Sequence, residues 1–420
     1  MRGRPLALLA GLGAVLLWGC NFVLGLDAPA GSAPLPFVSA PPVDAGTDAD
    51  AESRPPDPCA AFDPPAPPER DDDPLGALPP RSFVMKTMVP LRRNGTITGL
   101  NLDGFRTCGA EGPGIKVGSS CRRQGMRIDA AAPCDTDQCG GDNGLALLAG
   151  GLDELFLGGV EVATTTGLNG VIVYLADYNG LANDREVTAG LSLSGGIFAD
   201  LGCDGQPRGR TPSTFTNSVG GPDGGLALAY PSTFDGCDRW SIDPADATLE
   251  PDGTLKPKRS VRAYVRDNTL VVLGTDTTPF ALGDRAVDVN SPVITARLDA
   301  VTTDAGTKAS QISGATMFGR MTVGQLLPLA GSFKFDKVTL ACKQRALYEA
   351  VALQLCGAVD VARTASLDGQ DAPCDSVSFG LATELEPVVP MFYPEGYALR
   401  SRVSGCPEGT LLTEAFCSAP

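Results

Sequence analysis

The 420-residue chain reads as mainly β: a β-sandwich or jelly-roll-like body carrying a small, disulfide-tied helical part at its C-terminus. Three observations predict this. Between 81 and 320, short apolar or alternating runs are punctuated by Gly, Asp, Asn and Pro, the period and punctuation of strands and turns. After 320 the apolar spacing becomes helical. Thirteen cysteines with no histidine point to a disulfide framework.

The chain divides into a leader (1–26), an acidic Pro/Ala-rich linker (27–80), a β-rich body (81–320) and a helical, loop-rich, Cys-containing region (321–420). In the leader, Arg2 and Arg4 precede an unbroken apolar run from Leu6 to Trp18, the pattern of an export signal. Its end, Leu17-Trp18-Gly19-Cys20, resembles a bacterial lipobox, in which the cysteine is lipidated and becomes the mature N-terminus. Trp18 departs from the usual small or aliphatic residue there, and Asn21 in place of Asp points towards the outer membrane. Two other readings share the segment: an uncleaved anchor from Leu6 to Leu26, and a plain signal peptide. All three place the body outside the cytoplasm.

The net charge is −16, with 33 Lys+Arg against 49 Asp+Glu. Residues 27–80 hold eleven of the acids and fifteen prolines, and so are expected to form a disordered, extended spacer. The acidic balance argues against nucleic acid. The absence of histidine excludes Ser-His-Asp and Cys-His catalysis and histidine-held zinc or haem. No Walker A, GxSxG or complete GxGxxG motif occurs, and no catalytic residue is assigned.

Strands are predicted over Phe83–Val89, Thr96–Leu102, Val171–Ala176, Leu191–Ser194, Val261–Arg266, Thr269–Leu273, Val293–Leu298 and Ile312–Phe318. Asp267-Asn268 is a hairpin turn signal. Helices are predicted over Leu145–Phe156, from Thr322 as N-cap through Leu329, and within Leu340–Ala362.

With Cys20 taken by lipid, twelve cysteines remain. Proximity in sequence suggests Cys203–Cys237, Cys356–Cys374, Cys406–Cys417, Cys108–Cys121, Cys134–Cys139 and Cys59–Cys342. Three clusters of turn acids could hold calcium. The first is CDTDQCGGDNG, with Asp135, Asp137, Asp142 and Asn143 as candidate ligands; it lacks the closing Glu of an EF-hand. The others are Asp177, Asn179, Asn183 and Asp184, and Asp235, Asp238, Asp243 and Asp246 around Trp240. Asp, Asn and Gly are equally the residues of ordinary turns. Calcium is the cofactor these clusters suggest. Asp153-Glu154 and Glu384/Glu386 are carboxylate pairs that could serve glycoside hydrolysis, by residue type alone. Trp240 is assigned to the core, and Cys121-Arg122-Arg123 to Arg127 to a solvated basic loop.

CNFVLGLD at 20–27, the acidic linker, NLDGFRT at 101–107, GGDNGL at 140–145, ISGATMFGRM at 312–321, CGAVDVA at 356–362 and APCDSVSFG at 372–380 together resemble myxobacterial-type exported lipoproteins of unknown function. The resemblance implies location and a coherent body, and carries no catalytic residue. The expectation is a lipid-anchored surface protein, non-catalytic, that binds a glycan or protein or supports the envelope. The alternative is a secreted carbohydrate-active enzyme using paired carboxylates.

Overall fold

The computed structural model describes residues 64–72, 77–93, 96–108, 116–123, 134, 140–149, 171–216, 226–242, 247–250, 255–258, 260–274, 277–282, 285–302, 308–332, 339–392, 406–407 and 409–418. Its frame is eight strands in chain order. They are β1 (Arg81–Met85, continued by Val89–Pro90), β2 (Val171–Ala176), β3 (Asp184–Leu193), β4 (Ser260–Arg266), β5 (Thr269–Leu273), β6 (Arg285–Thr302), β7 (Lys308–Thr322) and β8 (Ser376–Thr383, continued by Leu385–Phe392). Each pairs antiparallel with the next. β8 then returns to β1, through Ser82↔Val388 to Met85↔Leu385 and on to Val89↔Ala382. At Leu381 and Ala382, β8 has β7 on one edge and β1 on the other. The sheet therefore closes on itself as an up-and-down barrel, which leaves no strand edge within the ring. The body is mainly β with a small helical part, as the sequence predicts. Its strands follow one another round the ring, whereas those of a jelly roll cross between two sheets.

Alternation sorts each strand into an inner and an outer face. Phe83, Met85, Val171, Val173, Val187, Ala189, Ala263, Val265, Leu270, Val272, Ile294, Ala296, Met317 and Phe379 face inward and form one packed core. Glu186, Arg262, Arg297 and Glu384 are exposed on the outer wall. Apolar inside and charged outside is the reverse of a lipid-facing barrel.

Three one-residue register shifts keep the apolar set inside. Between Asn290 and Val293, β6 gains a residue against β7, with Ser291 at φ 47°. The inward positions thereby change from Val287 and Val289 to Ile294 and Ala296. Between Ala296 and Arg297 the extra residue is on β7, at Gly314 with φ 64°, and moves the inward set from Ile312 to Ala315. The third separates Met85 from Val89 on β1 and turns Met88 into the core. A one-residue slip without such bulges would present every later apolar side chain to water.

The two ends of the barrel differ. One carries short connections: 177–183, the two-residue turn Asp267-Asn268 with both φ positive (49° and 61°), and 303–307. The other carries the long excursions 91–170, 194–259, 274–284 and 323–375. Helices α2 (Val323–Ser332) and α3 (Arg345–Gly357) belong to the last of these and extend the inner core. As predicted, α2 starts after Thr322; the main-chain N–H of Thr322 donates to Gln325 Oε1 at 3.2 Å, half of a capping box. The helix predicted over Leu145–Phe156 is described as α1 (Gly144–Ala149); the remainder lies outside the described residues. The strand predicted over Thr96–Leu102 shortens to Thr96–Ile97, paired with Arg92–Arg93. The change of pattern at 320 falls near the end of β7, and β8, from beyond it, completes the ring.

A second core lies on the outer wall, where Val84, Ile172 and Val388 are covered by Ile197, Trp240 and Ile242 of the 194–259 excursion. Trp240 is fully buried there, as assigned.

The linker is not spacer throughout. Residues 64–72 and 77–80 lie on the short-turn end. Tyr264 donates to Pro65 O at 2.5 Å, the N–H of Asn183 to Asp72 Oδ2 at 2.9 Å, the N–H of Arg185 to Asp71 Oδ1 at 2.6 Å and the N–H of Leu78 to Tyr178 O at 2.7 Å. Leu78, Phe83, Leu175, Tyr178 and Leu298 close that end around a cavity of about 20 Å³, room for one water. Main-chain and carboxylate acceptors give this stretch partners that composition does not reveal.

Five disulfides are described: Cys108–Cys134, Cys121–Cys374, Cys203–Cys237, Cys342–Cys406 and Cys356–Cys417. Cys203–Cys237 is the predicted pair. The other four correct the pairing by sequence proximity. Closure of the ring places the excursion after β1 beside β8, so Cys121 meets Cys374 at a Cα–Cα distance of 5.0 Å across 253 residues. Cys20, Cys59 and Cys139 lie outside the described residues. A framework of this density fits an extracytoplasmic protein.

Candidate functional site

The five body motifs, scattered from 101 to 380, meet on the outer wall of β7 and β8. Their centre is Arg320, 1% exposed on β7. Alternation turns it outward, away from the apolar interior and under the loop 98–108. Its Nη1 donates to Asp368 Oδ1 at 2.7 Å and Ala362 O at 2.9 Å. Its Nη2 donates to Asp368 Oδ2 at 2.6 Å and Leu102 O at 2.7 Å. The fork thus ties β7 to the NLDGFRT loop, to the CGAVDVA segment and to the 3₁₀ turn Ala365–Leu367 just before Asp368.

The GGDNGL turn forms a second clamp. Asn143, 2% exposed, donates through Nδ2 to Thr98 O at 2.8 Å and Gly380 O at 3.1 Å, and accepts the N–H of Gly380 at 2.9 Å. Asp142 accepts the N–H of Leu102 at 2.7 Å. Gly144 starts α1, and its N–H donates to Ser378 Oγ at 2.8 Å. A Cβ here would stand 2.8 Å from Ala358 O and 3.0 Å from Asp360 Oδ2, so only glycine fits. Ser378 in turn donates to Asp360, by its N–H to Oδ1 at 2.8 Å and by its hydroxyl to Oδ2.

Three carboxylates therefore crowd one region. Burial raises the pKa of Asp103 and of Asp368. Asp360 is half-buried as a residue, but its carboxyl end is enclosed, and burial pushes it up to about 6. Burial also lowers the Arg123 guanidinium, which donates to Gly357 O at 2.8 Å. This arrangement braces loops. Its acids face main-chain N–H groups and one arginine, and the serine at its centre is fully buried.

The sequence-predicted sites fare as follows. Asp142 accepts the N–H of Leu102 and Asn143 donates to Thr98 O and Gly380 O, so both of these candidate calcium ligands engage the main chain; Asp135 and Asp137 lie outside the described residues. Asp184 accepts the N–H groups of Asn179 and Glu186, and Asp177 accepts the Thr188 hydroxyl at 2.6 Å, so this second cluster closes a turn. In the third, Asp238 accepts from Arg210 at 2.6 Å, Ser232 at 2.7 Å and the N–H of Thr233 at 2.8 Å; Asp235 pairs with Arg208 at 2.7 Å. Asp243 and Asp246 lie outside the described residues, as do Asp153 and Glu154. Among the described residues no group of three or more acids or cysteines is set to hold a metal. Glu384 and Glu386 both contact Lys86 Nζ, at 3.2 and 3.0 Å. They stand two apart on one strand and point the same way from the outer wall. Of the basic loop predicted to be solvated, Arg122 pairs with Asp371 at 3.4 Å in the open, whereas Cys121 is buried and Arg123 is drawn in against Gly357 O; residues 124–127 lie outside the described residues.

Sequence reading misses Arg320, Asp360 and Asp368 as a group. An arginine among apolar residues in ISGATMFGRM, and an aspartate in CGAVDVA, were the only local signals. No protein-family model, no curated protein and no solved structure matches the chain.

Proposed function

We propose that this chain is an exported lipoprotein, held at the outer membrane or cell surface through Cys20, with a non-catalytic body that binds a glycan or protein partner or supports the envelope. One observation carries the non-catalytic reading. The motifs that give the chain its family resemblance converge on a node whose polar groups bind the protein's own main chain. The carboxylate pair Glu384/Glu386 lends the enzyme reading less support, since Lys86 bridges both acids and they do not face each other across a cleft. The five disulfides agree with export, and the leader supplies the anchor.

Two measurements test it. Cys20→Ala should move the protein from the membrane to the soluble fraction; retention in the membrane would refute the lipid anchor. A glycan array probed with the purified protein, in calcium and in EDTA, should give binding without turnover if the partner is a saccharide. Hydrolysis of an arrayed glycan that is abolished by Glu386→Gln would overturn the non-catalytic reading.

A further inference from the structure

The node contains more buried acid than buried base, and its wiring decides which acid is left over. Both forks of Arg320 are taken by Asp368, Ala362 O and Leu102 O. Asp103 accepts the N–H of Phe105 at 2.8 Å. Asp360 faces the N–H and hydroxyl of Ser378 from β8, the start of α1 at Gly144, and the negative charge of Asp103 from the 98–108 loop. Among the described residues no cation donates to either of its oxygens. The Arg123 guanidinium is the positive charge that acts on it, from the loop that carries Cys121. Arg320 and Asp368 act in turn on Asp103. A carboxylate enclosed without a bonded counter-ion is more stable neutral.

We propose that Asp360 is the proton-carrying member of this node, and that the node is a pH-responsive latch holding the 357–378 segment and the 142–144 turn against the barrel wall. With Asp360 neutral, Ser378 joins α1, Asp360 and β8 in one bonded chain. Ionisation sets a second negative charge beside that of Asp103 in an enclosed site, at a desolvation cost that the Ser378 donors do not offset, and the junction loosens.

The direction follows from linkage. The folded-state pKa of Asp360, about 6, lies above its ordinary value of 3.8. The folded chain thus keeps a proton that the unfolded chain has lost. The stabilisation is complete below pH 3.8 and falls away as pH rises to about 6.

The test uses the full chain. Hydrogen exchange at the N–H groups of Ser378 and Gly144, corrected for the intrinsic pH dependence of exchange, should rise about a hundredfold from pH 4 to pH 7. In Asp360→Asn the same amides should show no corrected rise. An equal rise in both proteins overturns the proposal, and so does an Asp360 carboxyl carbon signal that titrates near 3.8. Ser378→Ala provides an independent arm should Asp360→Asn fail to fold. Losing a hydroxyl that favours the charged form should shift the midpoint to higher pH, and an unmoved midpoint refutes the latch.

Discussion

Removing Asp368 tests whether the Arg320 node holds the wall together. In Asp368→Ala, the guanidinium loses both its bonds to a carboxylate, 2.7 and 2.6 Å, and keeps only the carbonyls of Ala362 and Leu102. The side chains of the pair are 1% and 9% exposed, so the charge left behind has almost no access to water. Breaking a buried pair from one side costs about 3–5 kcal/mol. A folded domain has about 5–15 kcal/mol in total, so the variant should lose about a fifth of its stability or more. Removing both partners should cost far less: Arg320→Met with Asp368→Ala takes away the stranded charge, and such replacements are near neutral. Urea unfolding followed by the fluorescence of Trp240, which is fully buried, reads both effects. A loss below about 1 kcal/mol in Asp368→Ala, or a double variant less stable than the single by the full cost of Arg320→Met alone, would refute the reasoning.

The other predictions concern the turn and the bridges. Asn143→Asp should destabilise the protein by about 3 kcal/mol with or without calcium, because a carboxylate would replace the donor to Thr98 O and Gly380 O. Calcium-dependent recovery of the melting temperature would instead make Asn143 an ion ligand. Under mild reductant Cys203, which is exposed, and Cys237 should be alkylated before the buried Cys121 and Cys374, with the far-ultraviolet circular dichroism unchanged. Peptide mass mapping reads the order, and the reverse order would count against the described burial.

Local order was legible in the sequence wherever neighbours decide it. Thr269–Leu273 and Val171–Ala176 have the predicted bounds, because β-branched runs between turn residues have few alternatives. Asp267-Asn268 turns the chain with both φ positive because asparagine and aspartate tolerate that region. The absence of histidine excluded whole chemistries without any structure. The candidate site was not legible in the same way. Asp142 and Asn143 stand in a stretch that looks like a calcium loop, and nothing local shows that Thr98 O and Gly380 O wait for the amide.

What the sequence by itself determined is the mainly β class of the body, the positions of many of its strands and the use of cysteine in a disulfide framework. What only the tertiary structure decided is the closure of β8 onto β1, four of the five described disulfides, and the meeting of Arg320, Asp360, Asp368 and Asn143. The physical reason is range. Strand propensity and turn chemistry act over a few residues, whereas ring closure joins Ser82 to Val388 and brings Cys121 to Cys374. Which polar groups become partners is set by that closure, because burial removes water as the competitor and leaves each donor only the acceptors the fold has placed beside it.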